Sequence, residues 1–502
     1  MEDKDKYEPV IGLEVHAQLL TRSKMFCSCP CIYIDSEPNT VVCPVCLALP
    51  GSLPVVNRKA VEFVIMTGLA LNGEIASMAQ FHRKNYPYPD LMKGYQISQY
   101  DNPISLGGSL TINVNGHEKK IGITRVHLEE DVAKLQHINK DQRNRYSLVD
   151  VNRSGVPLME TVSEPDISSP EEAREYLLNL RSILQYLGVS TGNMEDGSFR
   201  CDANISIRPK NSSDLFTRTE IKNMNSFRSV YRALEYEINR QIQVVEQGGK
   251  VVQETRGWSE EKEITVSQRS KELAHDYRYF PEPDIPPIPI ESKWVNELKT
   301  HLPELPEAKR HRFIDYYELP SYDAALLTSS KAMADYFEKS MSTKEIEQQK
   351  MSSKAKSISN WMLGDMSGLM NASNMDIIDL KITPPLLRQF TDLVESGTIG
   401  GPAAKEVFEE MFISGSDPHE VANSRGLTQL NDKDFLEEAV AKVIASNEQA
   451  VNDFVGGKDT AIKYLLGQVM KETRGRANPV SYTHLRAHET EADLVCRLLL
   501  EK

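Results

Sequence analysis

Apolar and polar residues alternate over residues 7–19, with Ile11, Leu13, Val15, Ala17 and Leu19 on one face and Gly12, Glu14, His16 and Gln18 on the other. A two-residue period predicts a strand buried on one side. Shorter strand-like runs follow at 109–114, 121–128, 147–152 and 156–162, so residues 7–160 read as β-rich. The period then changes. Ser169-Pro170-Glu171-Glu172 offers an N-cap, a first-turn proline and acids at the positive end of a helix dipole. Ala173, Leu177, Leu180, Ile183, Leu184 and Leu187 carry the helical spacing, and Gly188 ends it. A strand over 200–208 and a helix over 226–246 come next, the helix closed by Gly248-Gly249. Sheet and helix interleaved without regular βαβ alternation predict an α+β fold. Five prolines between Pro281 and Pro289 exclude regular helix or central strand and mark a first boundary. The chain beyond reads as helical from 292 to about 400, and a break at 397–402 introduces a smaller helical module.

Composition bounds these elements. At roughly 150 residues per domain, 502 residues predict about three domains. Hydrophobic residues at 40% and charged residues at 26% suit an ordinary soluble protein. The best apolar run, 61–71, contains Glu62 and Gly68 and falls short of the roughly 18 residues a membrane span needs. The first six residues carry both signs of charge and no apolar core, unlike a signal peptide. The chain therefore reads as cytoplasmic, with no membrane partner. A net charge of −14 argues against a general nucleic-acid binder.

Five of the seven cysteines, Cys27, Cys29, Cys31, Cys43 and Cys46, fall within twenty residues. In a chain without a signal peptide such clustering points to metal rather than disulfides. Cys27-x-Cys29 and Cys43-Pro-Val-Cys46 would supply four thiolates to a closed, structural Zn²⁺ knuckle, leaving one of the first three cysteines spare. The competing reading is a set of small, reduced, buried thiols.

The carboxylates stand in informative phases. Glu14 and His16 share the polar face of the first strand, about 7 Å apart along it. Glu130 falls in step with Val126 and Leu128, and Glu160 with Val156, Leu158 and Val162. A charge on a core-facing position is costly unless a cation or hydrogen bonds compensate it. Asp202 lies with Arg200, Asn204, Ser206 and Arg208 opposite Cys201, Ala203, Ile205 and Ile207. Several carboxylates and an imidazole could hold Mg²⁺ together with substrate phosphates, or could form salt bridges with nearby arginines. Neither the phosphate-binding Gly-x-x-x-x-Gly-Lys-[Ser/Thr] nor a Gly-x-Gly-x-x-Gly after a strand occurs, so a nucleotide would need another kind of site. Residues 81–100 hold three cations, four tyrosines and two prolines, a loop suited to clamping a phosphate or stacking on a base; a rigid surface loop is the alternative.

These residues lie within motifs that resemble one family. They include Val10-Ile-Gly-Leu-Glu-Val-His16, Arg83-Lys-Asn-Tyr86, Tyr95-Gln-Ile-Ser-Gln99, His127-Leu-Glu-Glu-Asp131 and Ser163-Glu-Pro-Asp166. Arg200-Cys-Asp-Ala-Asn-Ile-Ser206, Lys222-Asn-Met-Asn-Ser-Phe227 and Asp276-Tyr-Arg-Tyr-Phe-Pro-Glu-Pro283 continue the series. In order, and over residues 7 to 478, they resemble the GatB component of glutamine-dependent aspartyl/glutamyl-tRNA amidotransferase.

The resemblance implies a ligase that forms C–N bonds with glutamine as amido donor. ATP and Mg²⁺ would phosphorylate the side-chain carboxylate of Glu on tRNA(Gln) or Asp on tRNA(Asn), and ammonia would displace the phosphate. An amidase subunit of GatA type would deliver the ammonia through a channel, and a small GatC-type subunit would complete a heterotrimer. The alternative is a non-catalytic tRNA-binding and assembly scaffold. Carried over, the catalytic and Mg²⁺ cluster falls on Glu14, His16, Glu130 and Glu160, with Asp202 close by and Glu129 ranked lower; Lys84, Tyr86 and Arg200 would hold ATP or its phosphates; and Cys27, Cys29, Cys43 and Cys46 would hold zinc.

The implied architecture is a glutamine-synthetase-like cradle over 1–294 with the knuckle at 27–46, a helical domain over 295–402, and a YqeY-like tRNA-binding tail over 403–479. In that tail Lys458, Lys463, Lys471, Arg474 and Arg476 face only Asp459 and Glu472 across residues 456–476, a local excess suited to a phosphate backbone or to a solvated helix face. After Arg476-Ala-Asn-Pro479 the sequence leaves the family pattern. Residues 480–502 resemble translated sequencing-adapter DNA, so Cys496 and the histidines there carry no expected function.

Overall fold

The computed structural model describes residues 6–139, 145–212, 214, 216–270, 277–342, 348–427 and 441–455, with isolated positions between 458 and 471. Its contacts divide the chain into two compact units, Met1–Ala308 and Lys309–Lys502.

The first unit is built on a ten-stranded mixed sheet. Its central strand is Tyr7–Gln18, flanked by antiparallel Pro157–Ser163 on one side and antiparallel Phe199–Pro209 on the other. Pro157–Ser163 pairs in turn with the long strand His117–Glu130. Beyond Phe199–Pro209 lie Thr219–Met224, Glu254–Ser259 and Ile264–Ser270. The strands Thr219–Met224 and Glu254–Ser259 run parallel, joined through the helix Phe227–Glu246.

The alternation read from residues 7–19 is the alternation observed. Ile11, Leu13, Val15 and Ala17 are buried in the main core with Ala203, Ile205 and Leu128. Three helices supply the rest of that layer: Arg58–Ala70, Pro170–Leu187 and Phe227–Glu246. The second and third obey their sequence signals, with Ser169 and Ser226 accepting hydrogen bonds from Glu172 N and Ser229 N. Gly188 takes the left-handed conformation at φ 67° that a C-cap favours. The first helix has no such signal in its periodicity. It is apolar nearly all round, so no amphipathic stripe announces it; Asn57 caps it by accepting from the amides of Lys59 and Ala60.

The proline-rich stretch forms two short edge strands, Phe280–Pro281 against His82–Asn85 and Ile288–Pro289 against Met78–Ala79. Glu282, fully buried at its side chain, receives both Nε and Nη2 of Arg83 at 2.7 and 2.8 Å, which fastens the loop to the small sheet formed with Tyr95–Ser98.

In the second unit every regular element among the described residues is helical, from Ser321–Thr328 through Gly401–Ser414 to Glu448–Val455. Phe313 and Phe337 meet at 5.0 Å, and Trp361, Phe390 and Phe408 pack within 4.7 to 5.1 Å of one another. No described helix is long and apolar enough to cross a membrane.

Candidate active site

Sheet register assembles the polar centre. Directly paired residues of antiparallel strands point to the same face. His16 pairs with Glu160 on one side and Arg200 on the other, and Glu160 pairs with His127, so Arg200, His16, Glu160 and His127 form one row across four strands. Glu14 pairs with Asp202 in the next row. All project from the sheet face opposite Ile11, Leu13 and Val15.

His16 Nε2 lies 3.6 Å from Glu160 Oε2 and 3.6 Å from Glu129 Oε1. His127 Nε2 lies 3.1 Å from Glu160 Oε2. Glu160 is therefore buried between two imidazoles: burial works to raise its pKa, but His127 and then His16 overcome this and hold it well below the usual carboxylate range. Burial likewise works against the His16 charge, yet Glu160, ahead of Glu129 and Asp202, raises it to about 9. Glu14 moves up, through burial and then the neighbouring charges of Glu160 and Asp202.

Beside this trio stands a second carboxylate group of Glu14, Asp202 and Glu220. It contains its own cation, because Lys222 Nζ donates to Asp202 at 2.6 Å and lies 3.2 Å from Glu220. Asn204 Nδ2 donates to Glu14 Oε1 at 2.8 Å. The strand Thr219–Met224 alternates buried Thr219 and Ile221 with half-buried Glu220 and Lys222, and that alternation is the signal by which these two residues could have been found.

Glu130 is the sequence candidate that stands elsewhere. It pairs with Pro157, in phase with Leu128 and Val126, on the core face of the same strand. Its Oε1 accepts from Ile97 N at 3.0 Å and makes an ion pair with Lys93. With Lys93, Phe26, Cys46 and Pro50 it lines a cavity of about 260 Å³. The phase read from the sequence is thus the phase observed, and it takes Glu130 away from His16. Glu129 occupies the position beside the histidine and also accepts from Ser98 Oγ at 3.2 Å.

The small sheet brings further groups toward this centre. Lys84 faces burial that disfavours its charge, but Glu129, Tyr279 and Glu160 more than offset that and raise its pKa. Its ammonium sits 5.0 Å from the centre of the Tyr277 ring, and Tyr86 meets Tyr277 edge-on at 5.7 Å. Arg200 is held at 3.1 Å by the buried Asp131, which also accepts from Gln18 Nε2 at 2.7 Å. Gln18 in turn touches Tyr33 of the cysteine-bearing loop at 3.1 Å.

That loop gathers Cys27, Cys29, Cys43 and Cys46 with sulfurs within 4.8 Å of one another. Four thiolates at about 2.3 Å from zinc stand about 3.8 Å apart in a tetrahedron, and Cys43 Sγ and Cys46 Sγ are separated by 3.8 Å. The donor set fits the ion. A hydrogen bond from Cys27 drops Cys46 to about 4, while burial pushes Cys29 up to about 11. Cys31 stands apart from this set, 3.4 Å from Thr21 Oγ1. Of the tail cations, Lys458 and Lys471 are exposed, Lys458 lying 3.0 Å from Asp453. Lys463, Arg474, Arg476 and the segment 480–502 lie outside the described residues.

Residues 9–296 match the GatB/GatE catalytic domain, and residues 343–485 match the GatB domain. The GatB-type component of aspartyl/glutamyl-tRNA(Asn/Gln) amidotransferase from Dehalococcoides mccartyi is 53% identical over 476 residues, which cover 94% of this chain and 97% of that protein. Its namesake from Carboxydothermus hydrogenoformans is 52% identical, covering 96% of this chain and 98% of its own. That from Caldicellulosiruptor saccharolyticus is also 52% identical, over 97% and 99%. With two domain matches in order and relatives aligned nearly end to end, the chain belongs to the GatB family.

Proposed function

We propose that this chain is the GatB component of a tRNA-dependent amidotransferase, the part that activates and amidates Glu on tRNA(Gln) or Asp on tRNA(Asn). The observation that carries the catalytic reading is the row of half-buried His16 with buried Glu160 and His127, and buried Glu129 beside it. A scaffold has no use for two carboxylates and two imidazoles on the half-open face of a sheet, where their desolvation must be compensated.

A carboxylate is a poor electrophile. Transfer of the γ-phosphoryl group from ATP to the side-chain oxygen gives ADP and an acyl phosphate, and ammonia then attacks the carbonyl carbon and expels inorganic phosphate. Atoms balance, and one ATP is spent per amide formed. With the His16 proton displaced by the ion, His16, Glu129 and Glu160 would hold Mg²⁺, which would supply charge neutralisation at the phosphates. Lys84 and Arg200 carry positive charge beside that face and are suited to phosphate oxygens, with Tyr86 packed behind Lys84 through Tyr277. Asp202 and Glu14, held by Lys222 and Asn204, border the site. Glu130 is assigned no metal in this reading, because it is spent on Lys93.

The cysteine set would hold a structural zinc ion, whose four thiolates leave no open coordination position. The sheet-based unit corresponds to the cradle domain, and the helical unit comprises a helical domain and, past about residue 402, a tail that contacts tRNA through its basic residues. A GatA-type amidase would supply ammonia through a channel, a GatC-type subunit would complete the complex, and the assembly would work in the cytoplasm. Reconstitution with both partner subunits, followed by amidation assays on Glu-tRNA(Gln) and on Asp-tRNA(Asn), tests the reading: ATP-dependent product on at least one supports it, and none on either refutes it.

A further inference from the structure

Four tyrosines form a continuous ladder over the active face. Tyr86 meets Tyr277 edge-on at 5.7 Å, Tyr277 meets Tyr279 edge-on at 5.9 Å, and Tyr279 lies flat on Tyr100 with centroids 4.2 Å apart and planes within 5°. Edge-on contacts and offset parallel stacks are both ordinary ways to pack aromatic rings; this stack differs in ending at the surface. Tyr100 is 51% exposed. Tyr279 covers one of its faces, so that exposure falls on the other face and the rim, where His82 meets the ring at 6.4 Å with planes 79° apart. The ladder reaches the catalytic centre through Tyr277, whose ring centre lies 5.0 Å from the Lys84 ammonium, and Ser98, two residues before Tyr100, donates to Glu129 at 3.2 Å.

We propose that the open face of Tyr100 is a stacking platform for an adenine ring. This rests on the reading of the site given above, in which both substrates present an adenosine: ATP itself, and the 3′-terminal nucleotide that carries the amino acid. In either molecule the base is separated from the reacting group by a ribose and a short linker. A flat ring at the rim, joined through Tyr279 and Tyr277 to Lys84 and two residues from Ser98, the partner of Glu129, can seat that base while the reacting end enters between the carboxylates. Stacking requires only a π-face, so it needs no hydrogen-bond code. The rigid tyrosine pair supplies the surface without an ordering cost at the moment of binding.

The test uses the reconstituted complex with Tyr100→Ala and Tyr100→Phe, measuring KM and kcat for ATP and for misacylated tRNA separately. Tyr100→Ala is expected to raise the KM of one substrate by roughly tenfold, the worth of one base–aromatic stack, with kcat within about twofold; Tyr100→Phe is expected to restore the wild-type KM. A rise confined to ATP assigns the platform to the nucleotide, and a rise confined to tRNA assigns it to the 3′-terminal adenosine. Unchanged KM values for both substrates, or a Tyr100→Phe variant as impaired as Tyr100→Ala, overturn the proposal. A complex lacking amidation altogether refutes the functional reading instead. Equilibrium binding of ATP and of a CCA-ended RNA hairpin to the wild-type and Tyr100→Ala complexes then reads the stacking by itself.

Discussion

Glu129 and Glu130 are neighbours in sequence and point to opposite faces of one strand: the first stands 3.6 Å from His16, the second is paired to Lys93 on the core side. Both are buried. What separates their roles is the company each keeps. Glu129 joins Glu160 around an imidazole, the three potential ligand atoms within 4.8 Å of one another, whereas Glu130 has an ammonium and a backbone amide of its own.

Substitution of the two residues is therefore expected to give different phenotypes. Glu129→Gln should raise the Mg²⁺ concentration needed for half-maximal ATP-dependent amidation by tenfold or more while leaving thermal stability near wild type. Glu130→Gln leaves the half-buried Lys93 without its counter-charge and should cost about 2 kcal/mol of stability, with the Mg²⁺ dependence of the surviving activity unchanged. Mg²⁺ titrations of activity and denaturant unfolding of both variants check this.

The cysteine loop gives a second contrast. The purified chain should hold one zinc ion, lost in Cys43→Ser and kept in Cys31→Ser, because only the former removes a member of the four-sulfur cluster. Elemental analysis of the two variants reads the outcome directly. Chelation of the wild-type protein should lower its melting temperature, since binding to the folded state alone stabilises that state.

Acid stability offers a third test away from the metal-binding groups. Burial works to raise the pKa of Glu254, but hydrogen bonds from Ser267 and Arg256 outweigh it and hold the carboxyl below its usual value. A depressed folded-state pKa contributes stability that is complete well above the unfolded value of about 4.3 and is lost as pH falls through the folded one. Glu254→Gln should therefore be less stable than wild type near neutrality, with the gap narrowing below about pH 4. Urea unfolding of the two proteins across that range measures it.

Much of this is legible in the sequence. Strict alternation locates the central strand and both of its faces, and cap residues locate the helices after Ser169 and Ser226. The helix Arg58–Ala70 is hidden because burial on nearly every side erases periodicity. At the active site, phase correctly puts Glu130 in line with Leu128 and Val126, yet phase cannot say which face of a strand a neighbouring strand's histidine shares. That is fixed by register, which pairs His16 with Glu160 and Glu160 with His127 and so selects Glu129. Lys222, though part of a family motif, and Glu220 are not picked out as site residues, because an acid and a base two residues apart on a strand look like an ordinary solvated pair until Asp202 is placed beside them.

In the proposed reaction the His16 row activates the carboxylate of the misacylated amino acid. The direct measurement is tRNA-dependent transfer of the γ-phosphoryl group from labelled ATP by the reconstituted complex carrying His16→Ala or Glu160→Gln, with glutamine hydrolysis by the partner subunit followed in parallel. Phosphoryl transfer is expected to fall at least a hundredfold in both variants while glutamine hydrolysis persists. Phosphoryl transfer at the wild-type rate in either variant would contradict this role of the row.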